Sequence, residues 1–126
     1  MITSTQLTHW STVVPWISGD QVEQDLVLSR LIVEIAQDPY LGDELVFRGG
    51  TCLHKLYDTG LARYSEDLDY VRRSGGGIGD LTRAVTAIGE RLGMDVRTRI
   101  GRHPKIFLRA PFESGAGSMR VKVEVN

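Results

Sequence analysis

The 126-residue chain contains a single cysteine, few aromatic residues and no long apolar run. One cysteine, Cys52, cannot form an internal disulfide, which argues against a disulfide-stabilised secreted domain and favours a reducing compartment. No apolar stretch approaches the ~20 residues that cross a bilayer, and the first ten residues lack the basic start and apolar core of a signal peptide. The sequence therefore predicts a cytoplasmic protein without a membrane span.

A large net charge is also missing, but near-neutrality conceals an asymmetry. The formal net charge is −1, whereas residues 1–70 carry −7 and residues 71–126 carry +6. A chain polarised in this way can place a cationic surface beside an acidic one. The small total therefore does not exclude nucleic acid as a partner.

Length and composition indicate one ordinary globular domain. The chain is 41% hydrophobic and 25% charged, which argues against wholesale disorder and against a fibre. A chain of this length can bury about one hydrophobic core. We expect a single domain over residues 1–126, with residues 1–18, which include two tryptophans, packed against its body.

Hydrophobic periodicity predicts helices and strands in a mixed order. Helices are predicted over residues 21–37, 51–57 and 80–92, and strands over residues 45–48, 67–71, 94–99, 105–111 and 119–126. We expect Asp80 to cap the third helix. One side of the first helix is predicted to carry the stripe Val22, Leu26, Ser29, Ile32, Val33 and Ala36. The order of elements predicts an α+β (mixed α/β) fold with helices packed on a central mixed sheet.

Asp67 and Asp69 are candidate metal ligands. Residues two apart on a strand share a face, so both carboxylates project together while Leu68 and Tyr70 point into the core. A hard cation relieves the repulsion between such carboxylates, and Mg²⁺ commonly binds one or two of them together with substrate phosphates. A solvated acidic patch is the alternative interpretation.

The sequence Gly49-Gly50-Thr51 is a candidate phosphate site between a predicted strand and a predicted helix. Unpaired backbone N–H groups and the helix dipole favour an anion there, and glycine allows a phosphate to approach the backbone. A tight turn that needs glycine is the alternative. A phosphate site followed by a metal-binding strand would suit a nucleoside triphosphate.

Two segments together carry a resemblance to a known family. Residues 47–57, FRGGTCLHKLY, and residues 63–70, RYSEDLDY, resemble the patterns GGT-x-L-x-K and R-[FY]-S-E-D-[LI]-D of the AbiEii/AbiGii toxin family of nucleotidyltransferases. This family belongs to the DNA polymerase β-like superfamily and occurs in abortive-infection (phage defence) and type IV toxin–antitoxin systems. The resemblance covers roughly residues 20–126 and implies a polymerase β-like nucleotidyltransferase core.

The resemblance implies roles for ten residues. Asp67 and Asp69 would bind the metal, Glu124 would supply a third carboxylate, and Lys122 would neutralise charge developing on phosphate. The alternation of polar and apolar residues agrees with these two roles, because Lys122 and Glu124 share one face of a predicted strand. An exposed strand face with salt bridges is the alternative for both residues. Triphosphate contacts are implied for Gly49, Gly50 and Thr51. From its position one helical turn after Thr51, Lys55 could reach a phosphate, with a surface lysine as the alternative. Arg63 and Ser65 flank the metal strand and could orient a carboxylate or a phosphate.

The implied reaction transfers a nucleotide from an NTP to an acceptor and releases pyrophosphate, with Mg²⁺ as cofactor and two ions expected. The implied partners are tRNA as the leading acceptor and a cognate antitoxin protein. Six arginines could form a cationic surface for the acceptor: Arg72, Arg73, Arg97, Arg99, Arg102 and Arg109. No aromatic residues are expected between them to stack on bases. Family members generally continue into a C-terminal helical region that is absent from this sequence. The alternative is therefore a catalytically deficient domain that binds a nucleotide or a partner protein.

Overall fold

The computed structural model describes residues 3–13, 19–48 and 66–126. The helices are α1 (Ser4–Ser11), α2 (Gly19–Gln37), α3 (Leu41–Glu44) and α4 (Gly79–Arg91). The strands are β1 (Leu45–Arg48), β2 (Asp67–Arg72), β3 (Asp95–Arg99), β4 (Lys105–Pro111) and β5 (Ser118–Val125). Within these ranges no helix is long and apolar enough to cross a membrane. The helix predicted over residues 51–57 lies outside the described residues.

The five strands form one mixed sheet in the order β1-β2-β5-β4-β3. β5 pairs in parallel with β2 and antiparallel with β4, while β1 pairs antiparallel with β2 and β3 antiparallel with β4. The predicted α+β fold with helices and a central mixed sheet is confirmed. β5, the last strand in sequence, thus lies in the middle of the sheet.

One face of the sheet is packed against α2 and α4 and forms the core. Alternation along the strands directs small and branched apolar side chains to this face. The strands contribute the buried residues Leu68, Tyr70, Ile106, Leu108, Met119, Val121, Val123 and Val125, and the two helices contribute Val27, Leu28, Leu31, Ile35, Leu81, Val85 and Ile88. Polar residues alternate to the opposite side, which the described helices leave uncovered and which we call the open face.

The buried face of α2 agrees only in part with the predicted stripe, because Val22 is buried and Ile32 packs against the core. Val33 is 47% exposed and Ala36 is also exposed, whereas Leu28, Leu31 and Ile35 are buried. The prediction for Val33 and Ala36 is therefore wrong. Both stripes are apolar at helical spacing, so periodicity alone does not choose between them, and packing against the sheet decides.

Helix α4 lies very close to the sheet at Gly89. A Cβ atom added there would stand 2.5 Å from Cγ2 of Val96 and 2.8 Å from Cδ2 of Leu108. Such distances leave no room for a side chain, so glycine allows the helix to approach β3 and β4.

The start of α4 and the presence of α1 differ from the sequence prediction. Ile78 occupies the N-cap of α4 without a side-chain hydrogen bond, so the prediction that Asp80 caps this helix is wrong. Asp80 instead lies in the first turn and pairs with Arg83. α1 was not predicted as a helix, although Thr3 and Gln6 form a capping box at its start.

The described part of the N-terminal segment contacts α2. The indole N–H of Trp10 donates a hydrogen bond to Oδ1 of Asp25 at 3.1 Å. Asp25 is only 3% exposed, so this contact pairs a buried carboxylate with a donor from α1. Residues 14–18 lie outside the described residues.

Candidate active site

Asp67 and Asp69 both project from the open face of β2. The two aspartates are half-buried, while Leu68 is fully buried and Tyr70 is 3% exposed. The side chains therefore alternate as the sequence predicts, and the apolar pair anchors the strand in the core. The shared orientation of the two carboxylates rests on this anchoring.

β5 brings a third carboxylate and a lysine beside them. In the parallel register Asp67 lies opposite Lys122, and Asp69 lies opposite Glu124. Neighbouring strands are about 4.8 Å apart, so Glu124 is the immediate lateral neighbour of Asp69. The structure thus brings together four predicted site residues on two adjacent strands.

Two lysines form ion pairs with this group. Nζ of Lys122 is 3.6 Å from Oδ2 of Asp67, and Nζ of Lys105 is 3.6 Å from Oε1 of Glu124. Partly exposed pairs of this kind contribute about 0–1 kcal/mol. Across the described ranges, no three histidine, cysteine or acidic side chains are already arranged around one point as metal ligands. Sequence reasoning missed Lys105, which the register of the β4–β5 hairpin places opposite Glu124.

The environment of Asp69 disfavours its negative charge. Burial raises the pKa of Asp69, and repulsion from Glu124 and Asp67 raises it further, against smaller opposing effects of Lys122 and Arg48. Repulsion among carboxylates on one face is the condition that a bound cation relieves. The donor set consists of carboxylate oxygens, which are the ligands that Mg²⁺ prefers, so the residues present fit this ion.

The predicted phosphate-binding residues lie outside the described residues: Gly49, Gly50, Thr51, Lys55, Arg63 and Ser65. Their roles remain predictions. β1 ends at the residue before Gly49, and β2 begins with Asp67, two residues after Ser65. Arg48, which immediately precedes Gly49, is paired with Asp69 in the register of β1 and β2.

The predicted cationic surface is only partly assembled. Three of the predicted arginines lie on the open face of β3 and β4, at the edge of the sheet farthest from β1: Arg97, Arg99 and Arg109. Arg72 does not join them, because alternation turns it to the other side, where its Nε lies 3.3 Å from Oε1 of Glu44. The expectation for Arg72 is therefore wrong.

Sequence reasoning missed two members of this surface. Arg120 of β5 lies beside the predicted arginines, and the guanidinium groups of Arg99 and Arg120 lie over the ring of Phe107 on β4. The expectation that no aromatic residue is interleaved is wrong. The signal was present in the alternation Lys105, Phe107, Arg109 along one strand.

Comparison with solved structures shows the same fold. Over 99% of this chain, the structure is similar to MenT4, a nucleotidyltransferase toxin from Mycobacterium tuberculosis H37Rv, with 22% identity and a TM-score of 0.61. JHP933 from Helicobacter pylori matches 88% of the chain, with 20% identity and a TM-score of 0.60. The chain spans 44% and 45% of the lengths of these two proteins.

Comparison of sequences identifies the family. No match was found among curated proteins. Residues 30–126 match the family model described as nucleotidyl transferase AbiEii toxin of type IV toxin–antitoxin systems. This match includes both strands that carry the carboxylates and agrees with the resemblance of the two sequence motifs. The chain therefore belongs to the AbiEii family of nucleotidyl transferase toxins.

Proposed function

We propose that this chain catalyses the metal-dependent transfer of a nucleotide from an NTP to an acceptor, with release of pyrophosphate. We further propose tRNA as the acceptor, a cytoplasmic location and restraint by a cognate antitoxin. The observation that carries the proposal is a cluster of three carboxylates on the open face. Asp67 and Asp69 lie on β2, and Glu124 lies opposite Asp69 on β5.

Each residue of the group has a distinct task in this proposal. Asp67 and Asp69 would hold Mg²⁺, with Glu124 as a further ligand. When bound, Mg²⁺ supplies positive charge to the triphosphate and favours ionisation of the acceptor hydroxyl. Lys122 lies beside Asp67, where its ammonium would stabilise charge that develops on a phosphate bound next to that carboxylate.

Positioning of the triphosphate would fall to the motif after β1. Gly49, Gly50 and Thr51 directly follow Arg48, which pairs with Asp69. The glycine motif therefore begins one residue after Arg48, the strand partner of Asp69, which belongs to the second motif. Holding the two reactants in line would account for much of the rate, since phosphoryl transfer depends mainly on orientation and charge stabilisation.

A catalytically deficient domain that binds a nucleotide or a partner is the second candidate. The two lysine ion pairs favour it, because they satisfy Asp67 and Glu124 without a metal. In the active enzyme these pairs must yield to Mg²⁺, which is feasible since each is partly exposed and contributes little.

The test is a transfer assay with the full chain, each of the four labelled NTPs in turn, Mg²⁺ and total tRNA. We expect label in the RNA with the wild-type chain and none with Asp67→Asn or Asp69→Asn. Asp80→Asn is the matched control, because Asp80 is a largely exposed aspartate in the first turn of α4, on the other side of the sheet from the open face. Failure of the wild-type chain to transfer label with any NTP would overturn the enzymatic proposal. Undiminished transfer by both β2 variants would overturn the assigned site.

A further inference from the structure

We propose that the open face of β3, β4 and β5 binds single-stranded RNA by stacking a base on Phe107. We call this surface the arginine–phenylalanine face, and its members are Arg97, Arg99, Phe107, Arg109 and Arg120. The inference rests on the proposed function in one respect, namely that the RNA is the acceptor strand of that reaction.

Two guanidinium groups lie over the ring of Phe107. The guanidinium carbon of Arg120 is 5.1 Å from the centroid of the Phe107 ring, and that of Arg99 is 6.0 Å away. The ring is half-buried and lines a shallow cavity of about 270 Å³ together with the four arginines and Thr98. A base would therefore stack on the ring by displacing one of these guanidinium groups, or would stack on a guanidinium group that the ring supports, since both are flat.

The arginines are largely free of acidic partners among the described residues. Arg97 Nε is 3.5 Å from Asp95 Oδ2, but both side chains are mostly exposed, so this pair is weak. No ion pair within the described ranges involves Arg99, Arg109 or Arg120. The face therefore carries net positive charge that suits a polyanion.

An aromatic ring among arginines favours unpaired nucleotides over other polyanions. Guanidinium groups bind phosphates in a bidentate manner and also stack on flat rings. Unstacked bases of single strands stack on aromatic side chains, whereas bases in a duplex are hidden by their neighbours. Phosphate contacts alone would not need a half-exposed phenylalanine.

The location connects this face to the carboxylates. Asp67 lies opposite Lys122, and Lys122 lies opposite Phe107, so the three side chains form one row across β2, β5 and β4. Two strand spacings separate Phe107 from Asp67, which is about 10 Å. A strand of RNA that stacks on Phe107 can therefore extend along the open face and present its terminal hydroxyl at the carboxylates.

The test measures the fluorescence anisotropy of a labelled, unstructured oligoribonucleotide as the full chain is added. We expect tighter binding of this strand than of a duplex of the same sequence. Phe107→Leu keeps an apolar side chain but removes the ring, and we expect it to raise Kd roughly five- to 150-fold. Phe107→Tyr keeps the ring and should bind like the wild-type chain.

Charge variants test the phosphate contacts separately. Arg99→Gln and Arg120→Gln should each lower the slope of log K against log salt by about 0.7. Arg83→Gln is the matched control, since Arg83 lies on α4, away from this face, and pairs with Asp80. It should leave both affinity and slope unchanged.

Several results would overturn the inference. Equal affinity for single strand and duplex, with no effect of Phe107→Leu, would reduce the face to a non-specific cationic patch. A changed oligomeric state in Arg120→Gln with unchanged RNA affinity would show that the face binds a second copy of the chain instead.

The same assay separates this inference from the proposed function. Asp67→Asn should lose transfer and keep its affinity for RNA. RNA binding that depends on Phe107, in a chain that transfers no nucleotide, would sink the enzymatic proposal alone. Transfer that is insensitive to Phe107→Leu at limiting RNA would sink the stacking inference alone.

Discussion

Replacing Asp69 by asparagine should stabilise the fold while it abolishes activity. The negative charge of Asp69 is disfavoured by burial and by repulsion from Glu124 and Asp67. Asparagine has nearly the same shape and removes the charge. Residues that serve a metal or substrate are often kept at a cost in stability, so removing this charge should stabilise the fold.

The geometry of the strands gives the size of the effect. Glu124 is the lateral neighbour of Asp69 across the parallel pair, and unit charges about 5 Å apart repel by roughly 1–3 kcal/mol at effective dielectric constants of 80 to 20. Attraction to Lys122 and Arg48 offsets part of this repulsion. We therefore expect a net gain of about 1 kcal/mol, or a rise of about 3–5 °C in Tm for a domain of this size.

Thermal denaturation with and without Mg²⁺ provides the assay. Without metal, the Asp69→Asn variant should melt above the wild-type chain. The Asp67→Asn variant should gain less, because Asp67 has Lys122 as a partner. At Mg²⁺ concentrations ten times its Kd, the wild-type chain should gain about 1.4 kcal/mol and the Asp69→Asn variant much less, so that the order reverses.

The opposite result without metal would refute this reasoning. If Asp69→Asn lowered Tm in metal-free buffer, the carboxylate would be stabilising the sheet, and its repulsion by Glu124 would not be the dominant effect. If millimolar Mg²⁺ did not change the Tm of the wild-type chain, Asp67, Asp69 and Glu124 would not form a site for this ion.

Two further predictions concern stability. Gly89→Ala should destabilise the fold by up to about 2 kcal/mol. Overpacking against Leu108 costs about 1–3 kcal/mol, and the higher helix propensity of alanine offsets about 1 kcal/mol of this. Gly19→Ala is the control, because the added Cβ meets nothing within 4 Å, and it should not lower the urea midpoint. Glu44 accepts hydrogen bonds from the hydroxyl and N–H of Ser74, which lower the pKa of Glu44. Its contribution is therefore fully present above the unfolded pKa of about 4.3 and is lost as pH falls through the lower folded pKa. Urea denaturation should show Glu44→Gln to be less stable than the wild-type chain at pH 7, and the difference should shrink steadily as pH is lowered below about 4.3. A difference independent of pH would contradict this assignment.

Local alternation was predictable where each strand has one apolar and one polar face. Leu68 and Tyr70 between the aspartates, and Val121, Val123 and Val125 around Lys122 and Glu124, all turn inward as expected. Burial of apolar side chains dominates the free energy of such segments, so a two-residue repeat is enough to orient them.

Long-range pairing was not predictable from the same patterns. The proximity of Glu124 to Asp69 came from family resemblance, because nothing local in residues 118–125 indicates a parallel pairing with β2. The arginine–phenylalanine face was missed for a related reason, since Phe107 and Arg120 meet only through the register of β4 with β5. The buried face of α2 was predicted only in part, with Val22 and Ile32 correct and Val33 and Ala36 wrong, because neighbouring apolar stripes are equivalent until a sheet selects one of them.

The central position of β5 has a consequence for the order of folding. Within the described sheet β5 lies between β2 and β4. It pairs with β4 across a short connection, but with β2 across about 55 residues of chain. Closing such a long loop is entropically costly and slow compared with local pairing. We therefore expect the β2–β5 pairing, which brings Glu124 beside Asp69, to form later in folding than the β4–β5 hairpin.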